Sequence, residues 1–250
     1  MPASGASSSL AALPVGLQAQ GAEVKELSPK KLYIVIPVLN EGQVIQDVLR
    51  EIKETGYHRI IVVDDGSKDD SSGKAKEMGA VVLKHIINRG KGAAVKTGIE
   101  AAKILKADMV VTMDGDGQHN PQDIDKMIRH LEQGTDVVLG SRLLNAEGMP
   151  THKWISNHLG NFFTWLIHGL WVTDSQSGFR AYSRKALNVI DTKTDRYEYD
   201  SEIISQISKH QLKYAEVPVD VRYTEYSMGK KHKQNLKNGI KTLIKMIISE

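Results

Sequence analysis

Five short apolar runs, each followed by polar residues, constrain the fold of this chain more than any other feature. They are rich in β-branched residues and too short for buried helices, which is typical of buried strands. The runs span residues 31–39, 59–65, 80–85, 107–114 and 136–142. Segments with helical spacing of apolar residues lie between them, for example 41–54, 90–105 and 121–133. This alternation predicts an α/β fold, with a mostly parallel central sheet and helices on both faces.

Composition and charge narrow the class of protein. A chain of 250 residues fits one large α/β domain, and the absence of cysteine excludes disulfides, thiolate zinc sites and thiol nucleophiles. From residue 228 onward, six lysines face one glutamate, so this tail carries +5 and residues 1–227 carry −2. Such a local basic end favours an anionic partner, either a membrane surface or a phosphate group. Nucleic-acid binding is not expected, because it requires a broader basic face.

The chain divides into three parts by composition. We interpret residues 1–29 as a flexible leader, because its apolar part is broken by Pro14 and Gly16 and no basic residue precedes it, unlike a signal peptide. Residues 30–227 form the predicted α/β domain. Residues 228–250 are predicted to form a basic loop and an amphipathic helix suited to an anionic membrane surface, or else an ordinary terminal helix.

Polar residues follow every predicted strand. Because ligands of open α/β sheets bind at the carboxyl ends of the strands, these residues are expected to line one crevice. Each end taken alone could equally be a turn or a helix N-cap. The ends comprise Asn40 and Glu41, residues 64–67, residues 88–91, Asp114 and Asp116, and Ser141 and Arg142.

The stretch "MDGDGQHNP" ends the fourth apolar run with two aspartates one residue apart. If the chain stays extended there, Asp114 and Asp116 point the same way and their carboxylates converge. Hard oxygen ligands favour Mg²⁺ or Mn²⁺, which keeps further positions for water and substrate phosphates. This motif predicts a metal–diphosphate site, the alternative being a solvated acidic turn. We expect His119 to lie beside the site rather than to bind the metal.

Six motifs occur in order: "IVIPVLNE", "VVDDGSKDDS", "NRGKGAAVKTG", "MDGDGQHNPQDI", "DVVLGSR" and "DSQSGFRAYSRKAL". Together, over residues 31–232, they resemble glycosyltransferase family 2, in the branch that contains dolichyl-phosphate mannose synthase and polyprenyl-phosphate sugar transferases. The resemblance implies a GT-A fold and a metal-dependent, inverting transfer of a hexose from a GDP- or UDP-sugar. The implied acceptor is a polyprenyl phosphate. The resemblance also implies that the protein is cytoplasmic and binds peripherally to the cytoplasmic face of a membrane.

The resemblance also implies roles for individual residues. The metal would be held by Asp114 and Asp116, and the acceptor phosphate by Arg142, Lys153 and Arg180. The predicted catalytic residues are Asp116, Arg142, Arg180 and Asp200. Those predicted to bind the nucleotide sugar are Pro37, Glu41, Asp64, Asp65, Lys91, Asp114, Gln118, Lys230 and Lys231.

Two positions depart from the family pattern, and some of these roles have a simpler alternative. Val38 and Leu39 follow Pro37 where many members have an aromatic residue, and Lys153 stands where many have arginine. Arg180 could instead form a plain ion pair. Asp200, with Glu202, lies where other members place a catalytic base, although both could simply begin a helix.

Residues 154–173 contain no charged side chain and hold all three tryptophans. Two stripes recur at helical spacing; we expect the apolar one to pack on the sheet and the segment to lie at a membrane interface. The apolar stripe consists of Ile155, Leu159, Phe162, Leu166 and Leu170, and the mixed one of Trp154, His158, Asn161, Trp165 and His168.

Three other functions stay open. The first is a family 2 enzyme acting on a saccharide or protein hydroxyl, which would depend on Asp200 or Glu202. The second is a sugar-nucleotide nucleotidyltransferase, although "VLNEG" lacks the glycine-rich basic loop expected after its first strand. The third is a non-catalytic membrane-binding relative, which the retained aspartate pair argues against.

Overall fold

The computed structural model describes residues 30–145, 151–196, 198–222 and 226. In this part of the chain, strands and helices alternate as the sequence predicts. The strands are β1 (Leu32–Val38), β2 (Ile60–Asp64), β3 (Val81–Lys84), β4 (Met109–Thr112), β5 (Val137–Ser141), β6 (Arg180–Ser183) and β7 (Tyr214–Pro218). The α-helices are α1 (Ile45–Glu54), α2 (Ser71–Glu77), α3 (Lys91–Ile104), α4 (Ile124–Glu132), α5 (Thr151–His168), α6 (Arg184–Val189) and α7 (Glu198–Lys209).

The described strands form one sheet in the order β3-β2-β1-β4-β6-β5-β7. All neighbours pair in parallel except at β6, which runs antiparallel to both β4 and β5. The predicted mostly parallel sheet is therefore confirmed. The reversal matters for the site, because the first residue of β6, Arg180, lies at the edge where the parallel strands end.

The core consists of two apolar layers, one on each face of the sheet. Alternate residues of β1 divide between them: Ile34 and Ile36 pack with α1 and α4, whereas Val35 packs with α3, α6 and α7. The amphipathic pattern of α1 is confirmed, since Val48, Leu49 and Ile52 are buried as expected. Helices thus cover both faces, which leaves the carboxyl edge of the sheet as the place for a ligand.

Three elements, β6, α6 and β7, are absent from the sequence prediction. Strand β6 has only four residues and begins with the charged Arg180, so no apolar run marks it. Helix α6 is also short, with six residues. Strand β7 lies at the edge of the sheet and buries only Val217 fully, which gives it a weak hydrophobic signal.

Helix α5 has the opposite orientation to the one predicted. Within α5, the stripe expected to pack on the sheet is exposed, with Leu159 55% and Leu166 62% accessible, whereas Leu170, beyond the end of the helix, packs against the core. The buried side carries Asn157, Asn161 and Thr164 instead. Hydrogen bonds explain this inversion: Asn161 donates to the carbonyl of Thr173, and its Oδ1 accepts from both N and Oγ of Ser175, each at 2.9 Å.

Some predictions fall outside the described residues. They concern the leader 1–29, the lysines Lys230 and Lys231, and the basic tail 228–250; the side chain of Lys153 is likewise not described. Within the described residues, no helix combines the length and apolar character needed to cross a bilayer.

Candidate active site

Asp114 lies beyond the end of β4, at the carboxyl edge of the sheet, and contacts Lys91 and His119. Its Oδ1 lies 2.7 Å from the ammonium nitrogen of Lys91, and its Oδ2 lies 3.5 Å from Nε2 of His119. The His119 ring is buried and stacks at a tilt on Phe179, with centroids 4.9 Å apart. His119 therefore stands beside the aspartate, as the sequence predicts.

Lys91 and Asp114 shift each other's pKa. Although burial alone would raise the pKa of Asp114, the Lys91 ammonium and then His119 hold it well below its usual range. Burial alone would lower the pKa of Lys91, but the carboxylates of Asp114 and then Asp200 raise it above its usual range. Both groups are therefore charged at neutral pH, and Lys91 interacts with two carboxylates at once.

Asp116 does not continue the strand. The chain turns at Gly115 and Asp116, so the extended backbone assumed for the D-x-D motif is wrong. The turn is closed by the Asp116 carboxylate, whose Oδ1 accepts a hydrogen bond from the Gln118 backbone N at 3.1 Å. Burial, and then the carboxylates of Glu41, Asp69 and Asp116, raise the pKa of Tyr226.

Arg180 lies beneath the site rather than on its surface, because its side chain is only 2% exposed. Its guanidinium donates to the carbonyls of Ser175 and Ser177, each at 2.8 Å, and to that of Asp200 at 3.1 Å. It also forms an ion pair with the Asp200 carboxylate at 3.4 Å. The predicted ion-pair alternative is thus present, and a direct role of Arg180 towards the acceptor phosphate stays a prediction.

Arg142 follows β5 and makes a two-pronged contact with Asp174. Its Nε and a terminal nitrogen donate to the two carboxylate oxygens at 2.6 and 2.8 Å, and its backbone N donates at 3.0 Å. The Asp174 carboxylate is fully buried. Burial alone would raise the pKa of Asp174, but these contacts lower it. Arg142 thereby fixes the loop before β6, and its predicted contact with phosphate stays a prediction.

Glu41 begins the loop after β1 and is held from two sides. Its backbone N donates to Ser71 Oγ at 2.8 Å, and the Tyr226 hydroxyl donates to its carboxylate at 2.9 Å. The Tyr226 hydroxyl also lies 3.3 Å from the carbonyl oxygen of Asn40. Pro37 itself is half-buried in β1, opposite Val63 of β2.

Asp64 and Asp65, at the end of β2, have roles within the protein. Asp64 accepts a hydrogen bond from the Ser67 backbone N at 2.7 Å, which closes the turn after the strand. Asp65 accepts from the backbone N of Arg89 at 2.9 Å and of Gly90 at 2.7 Å, and so shapes the loop that leads to Lys91. Their contact with the base or ribose stays a prediction.

Glu202, considered as an alternative base, is engaged away from the site. Its carboxylate accepts from the backbone N of Lys193 at 2.7 Å and of Thr194 at 2.9 Å. Asp200, two residues earlier in α7, is the carboxylate that faces Lys91 and Arg180. Between the two predicted candidates, only Asp200 is therefore brought into the site.

One loop, residues 172–179, joins these features, and the sequence prediction missed most of its roles. It holds Asp174 against Arg142, Ser175 against Asn161 of α5, and Gly178 against the ion pair of Lys91. The motif "DSQSGFR" marked the segment in the sequence, but its contacts depend on distant residues. The loop connects the exposed helix α5 directly to the D-x-D site.

The carboxylates suit a divalent metal only if a substrate completes the site. Among the described residues, no cluster of three or more His, Asp and Glu side chains forms a ready-made metal site. Mg²⁺ is commonly bound by one or two carboxylates together with substrate phosphates and water. Asp114 and Asp116 fit that pattern, since they supply hard oxygen atoms at the strand edge.

The architecture and these residues define a class of protein: a GT-A fold with a D-x-D motif at the carboxyl edge of its sheet. The model of the family described as "Glycosyl transferase family 2" matches residues 33–191. The chain belongs to this family and is a glycosyltransferase. The predicted recognition and fold are thereby confirmed.

Two relatives match over most of the chain. An uncharacterised protein of Methanocaldococcus jannaschii is 42% identical over 240 residues, covering 94% of this chain and 98% of that protein. The UDP-N-acetylglucosamine–dolichyl-phosphate N-acetylglucosaminyltransferase of Methanococcus voltae is 38% identical over 227 residues, covering 82% of this chain and 90% of that protein.

Among solved structures, glucosyl-3-phosphoglycerate synthase from Mycobacterium tuberculosis is similar in fold. Its complex with phosphoglyceric acid has a TM-score of 0.67 at 20% identity, covering 87% of this chain and 77% of that chain. A complex of the same enzyme with Mn²⁺, uridine diphosphate and phosphoglyceric acid has a TM-score of 0.63 at 20% identity, covering 86% of this chain and 78% of that chain.

Proposed function

We propose that this glycosyltransferase transfers a hexose or N-acetylhexosamine from a nucleotide diphosphate sugar to a polyprenyl phosphate at a membrane surface. The observation that carries the proposal is the loop 172–179, which links a D-x-D site to a helix with an outward apolar face. The similarity to the Methanococcus voltae enzyme supports a dolichyl-type phosphate acceptor and favours a UDP-sugar over a GDP-sugar.

The proposed reaction is a displacement with inversion. An oxygen of the lipid phosphate attacks the anomeric carbon of the sugar, the bond from that carbon to the nucleoside diphosphate breaks, and the diphosphate leaves with the electron pair. A phosphate oxygen is already anionic near neutral pH, so no strong general base is required. A divalent cation on Asp114 and Asp116 would stabilise charge on the leaving diphosphate. Lys91, which lies next to Asp114, would add positive charge near the leaving diphosphate, and Arg142 is proposed to add more.

The outward face of α5 is proposed as the membrane contact. Trp165 packs its ring near Phe162 and Trp171, with centroids 5.9 and 6.1 Å apart, and all three are exposed by 41–50%. Aromatic side chains are enriched where a protein meets lipid headgroups. The polar side of α5 is fixed inward by Asn161, so the apolar side can meet lipid without a change of fold. Peripheral attachment of this kind would bring the site to the lipid phosphate.

The enzymatic test is release of nucleoside diphosphate from UDP- and GDP-sugars, with Mg²⁺ or Mn²⁺, with and without a polyprenyl phosphate. Release should require both metal and lipid phosphate. Asp116→Asn should lower the rate at least about 100-fold, whereas Asp47→Asn should not, because Asp47 lies in an exposed ion pair on α1. Release with a saccharide acceptor but not with lipid phosphate would refute the acceptor assignment.

The membrane contact is tested separately by sedimentation with anionic and zwitterionic vesicles. The double change Leu159→Ser and Leu166→Ser should weaken binding about tenfold or more, because two half-exposed leucines no longer enter the lipid. Ile104→Ser is the matched control, because Ile104 is 79% exposed at the far end of α3. Equal binding by the double variant and the wild type would contradict the α5 assignment.

A further inference from the structure

The backbone at Lys91, the first residue of α3, is held in place by its neighbours. Gly90 has a φ of +115°, and a Cβ there would lie 2.4 Å from the carbonyl oxygen of Asp195. Only glycine fits this position without a shift of backbone, so the first turn of α3 is held closely. Lys91 therefore enters the D-x-D site from a defined direction.

The ion pair of Lys91 and Asp114 fills the place next to the D-x-D carboxylate. The two side chains are 28% and 30% exposed, and the charged atoms lie 2.7 Å apart. The absence of a side chain at Gly178 is what leaves room for them, since a Cβ there would lie 2.9 Å from Asp114 Oδ1 and closer still to the ammonium. The Lys91 ammonium is thus paired with the carboxylate oxygen of Asp114 that faces Gly178.

A second carboxylate offers Lys91 another partner. The first turn of α3 packs closely on the first turn of α7, since a Cβ at Gly92 would lie 2.6 Å from the Cβ of Tyr199. Asp200, the next residue of α7, is held by Arg180 and attracts the Lys91 ammonium. A lysine side chain has a flexible four-carbon stem and three donors, so its ammonium can move between nearby carboxylates. The site therefore brings one flexible lysine side chain together with two carboxylates.

We propose that the Lys91 ammonium is an internal counter-ion of the D-x-D site, which a divalent metal displaces from Asp114 towards Asp200. The free protein then binds metal weakly, because the incoming cation must replace an existing ion pair. Binding becomes favourable when a nucleotide sugar brings its diphosphate, which supplies further oxygen ligands and negative charge for both cations. Metal and donor would consequently bind as one unit. The inference rests on the proposed function only in taking Asp114 as a metal ligand.

The experiment measures Mn²⁺ affinity of the protein without any sugar, for example by the free Mn²⁺ signal in electron paramagnetic resonance. Lys91→Met should bind Mn²⁺ about tenfold more tightly than the wild type, which corresponds to about 1.4 kcal/mol. Lys96→Met is the matched control, because Lys96 lies on the same helix, is 27% exposed and pairs with Asp195 at 2.6 Å. Its affinity should equal that of the wild type.

A folded Lys91→Met protein that binds Mn²⁺ no more tightly than the wild type would overturn the inference. Lys91→Arg keeps the charge and should retain weak binding. On the unaltered protein, labelling of Lys91 by an amine-reactive reagent should rise on addition of Mg²⁺, relative to Lys96, and an unchanged ratio would also count against displacement. None of these measurements uses sugar transfer, so an inactive protein that shows them would contradict the proposed function alone.

Discussion

Replacing Arg142 is the most direct test of whether this residue stabilises the fold or acts in catalysis. Replacing it by Met leaves the fully buried Asp174 carboxylate without its two-pronged partner. Breaking a buried ion pair by removing one partner costs about 3–5 kcal/mol. Arg142 keeps 24% of its side chain exposed, so we expect the lower end, about 3 kcal/mol. For a domain of this size, that lowers the melting temperature by about 6–12 °C.

The expected pH dependence has a definite sign. Contact with Arg142 lowers the pKa of Asp174, so in the wild type this pair stabilises the fold above the ordinary aspartate pKa and stops doing so as pH falls. In Arg142→Met, burial dominates and the carboxyl can bind a proton in the folded state. The difference in stability between variant and wild type should therefore be largest near pH 7 and shrink towards pH 4.

The assay is thermal unfolding followed by circular dichroism at both pH values. Adding Asp174→Asn to Arg142→Met should recover more than half of the lost stability, because the buried charge is then gone. A fall of less than about 2 °C at pH 7, or no recovery in the double variant, would refute the reasoning. In that case Arg142 would be chiefly a substrate-binding group.

Three further changes test other contacts. Asn161→Leu should lower the free energy of unfolding by about 2–4 kcal/mol, measured by thermal unfolding, because the polar groups of loop 172–179 lose their partner. Leu166→Asn on the outer face should change it by no more than about 0.5 kcal/mol. Equal effects of the two changes would contradict the inverted orientation of α5. Gly178→Ala should lower the transfer rate about 10- to 100-fold through displacement of Asp114 with little change in melting temperature, and full activity would contradict it. Burial and then Tyr182 raise the pKa of Tyr199 in the folded state, so above about pH 10 this tyrosine ionises more readily in the unfolded chain and the wild type loses stability. Tyr199→Phe should therefore lose less stability than the wild type above that pH. Parallel stability profiles against pH would contradict this.

The sequence predicted the elements whose signal is local. Short β-branched runs marked β1 to β5, and the polar residues after them lie at the carboxyl edge of the sheet, where Asp65 contacts Gly90 and Lys91 contacts Asp114. The orientation of α5 was predicted wrongly, because it depends on distant partners. The apolar stripe of α5 was expected to face the sheet, because hydrophobic pattern alone cannot reveal that Asn161 bonds to a loop remote in the chain. The turn at Asp116 is a local feature, closed by the Gln118 backbone N, which the D-x-D spacing alone does not reveal.

The position of Asp200 distinguishes the two acceptor classes. The Asp200 carboxylate lies 3.4 Å from Arg180 and also interacts with Lys91, so it already has two cationic partners. This arrangement suits an acceptor that brings its own anionic oxygen. A hydroxyl acceptor would instead need this carboxylate to take up a proton, and a general base contributes about 10²- to 10⁴-fold to the rate.

We therefore expect Asp200→Asn to reduce transfer to a polyprenyl phosphate by about tenfold at most, through misplacement of Arg180 and Lys91, with kcat showing the same pH dependence as the wild type. Glu202→Gln serves as the control, because Glu202 binds backbone groups at Lys193 and Thr194 instead of the site. The melting temperature of each variant must be measured, since Arg180 loses its buried partner. A loss of more than 100-fold in a protein that melts like the wild type would show that Asp200 acts as a base, and the acceptor would then be a hydroxyl group.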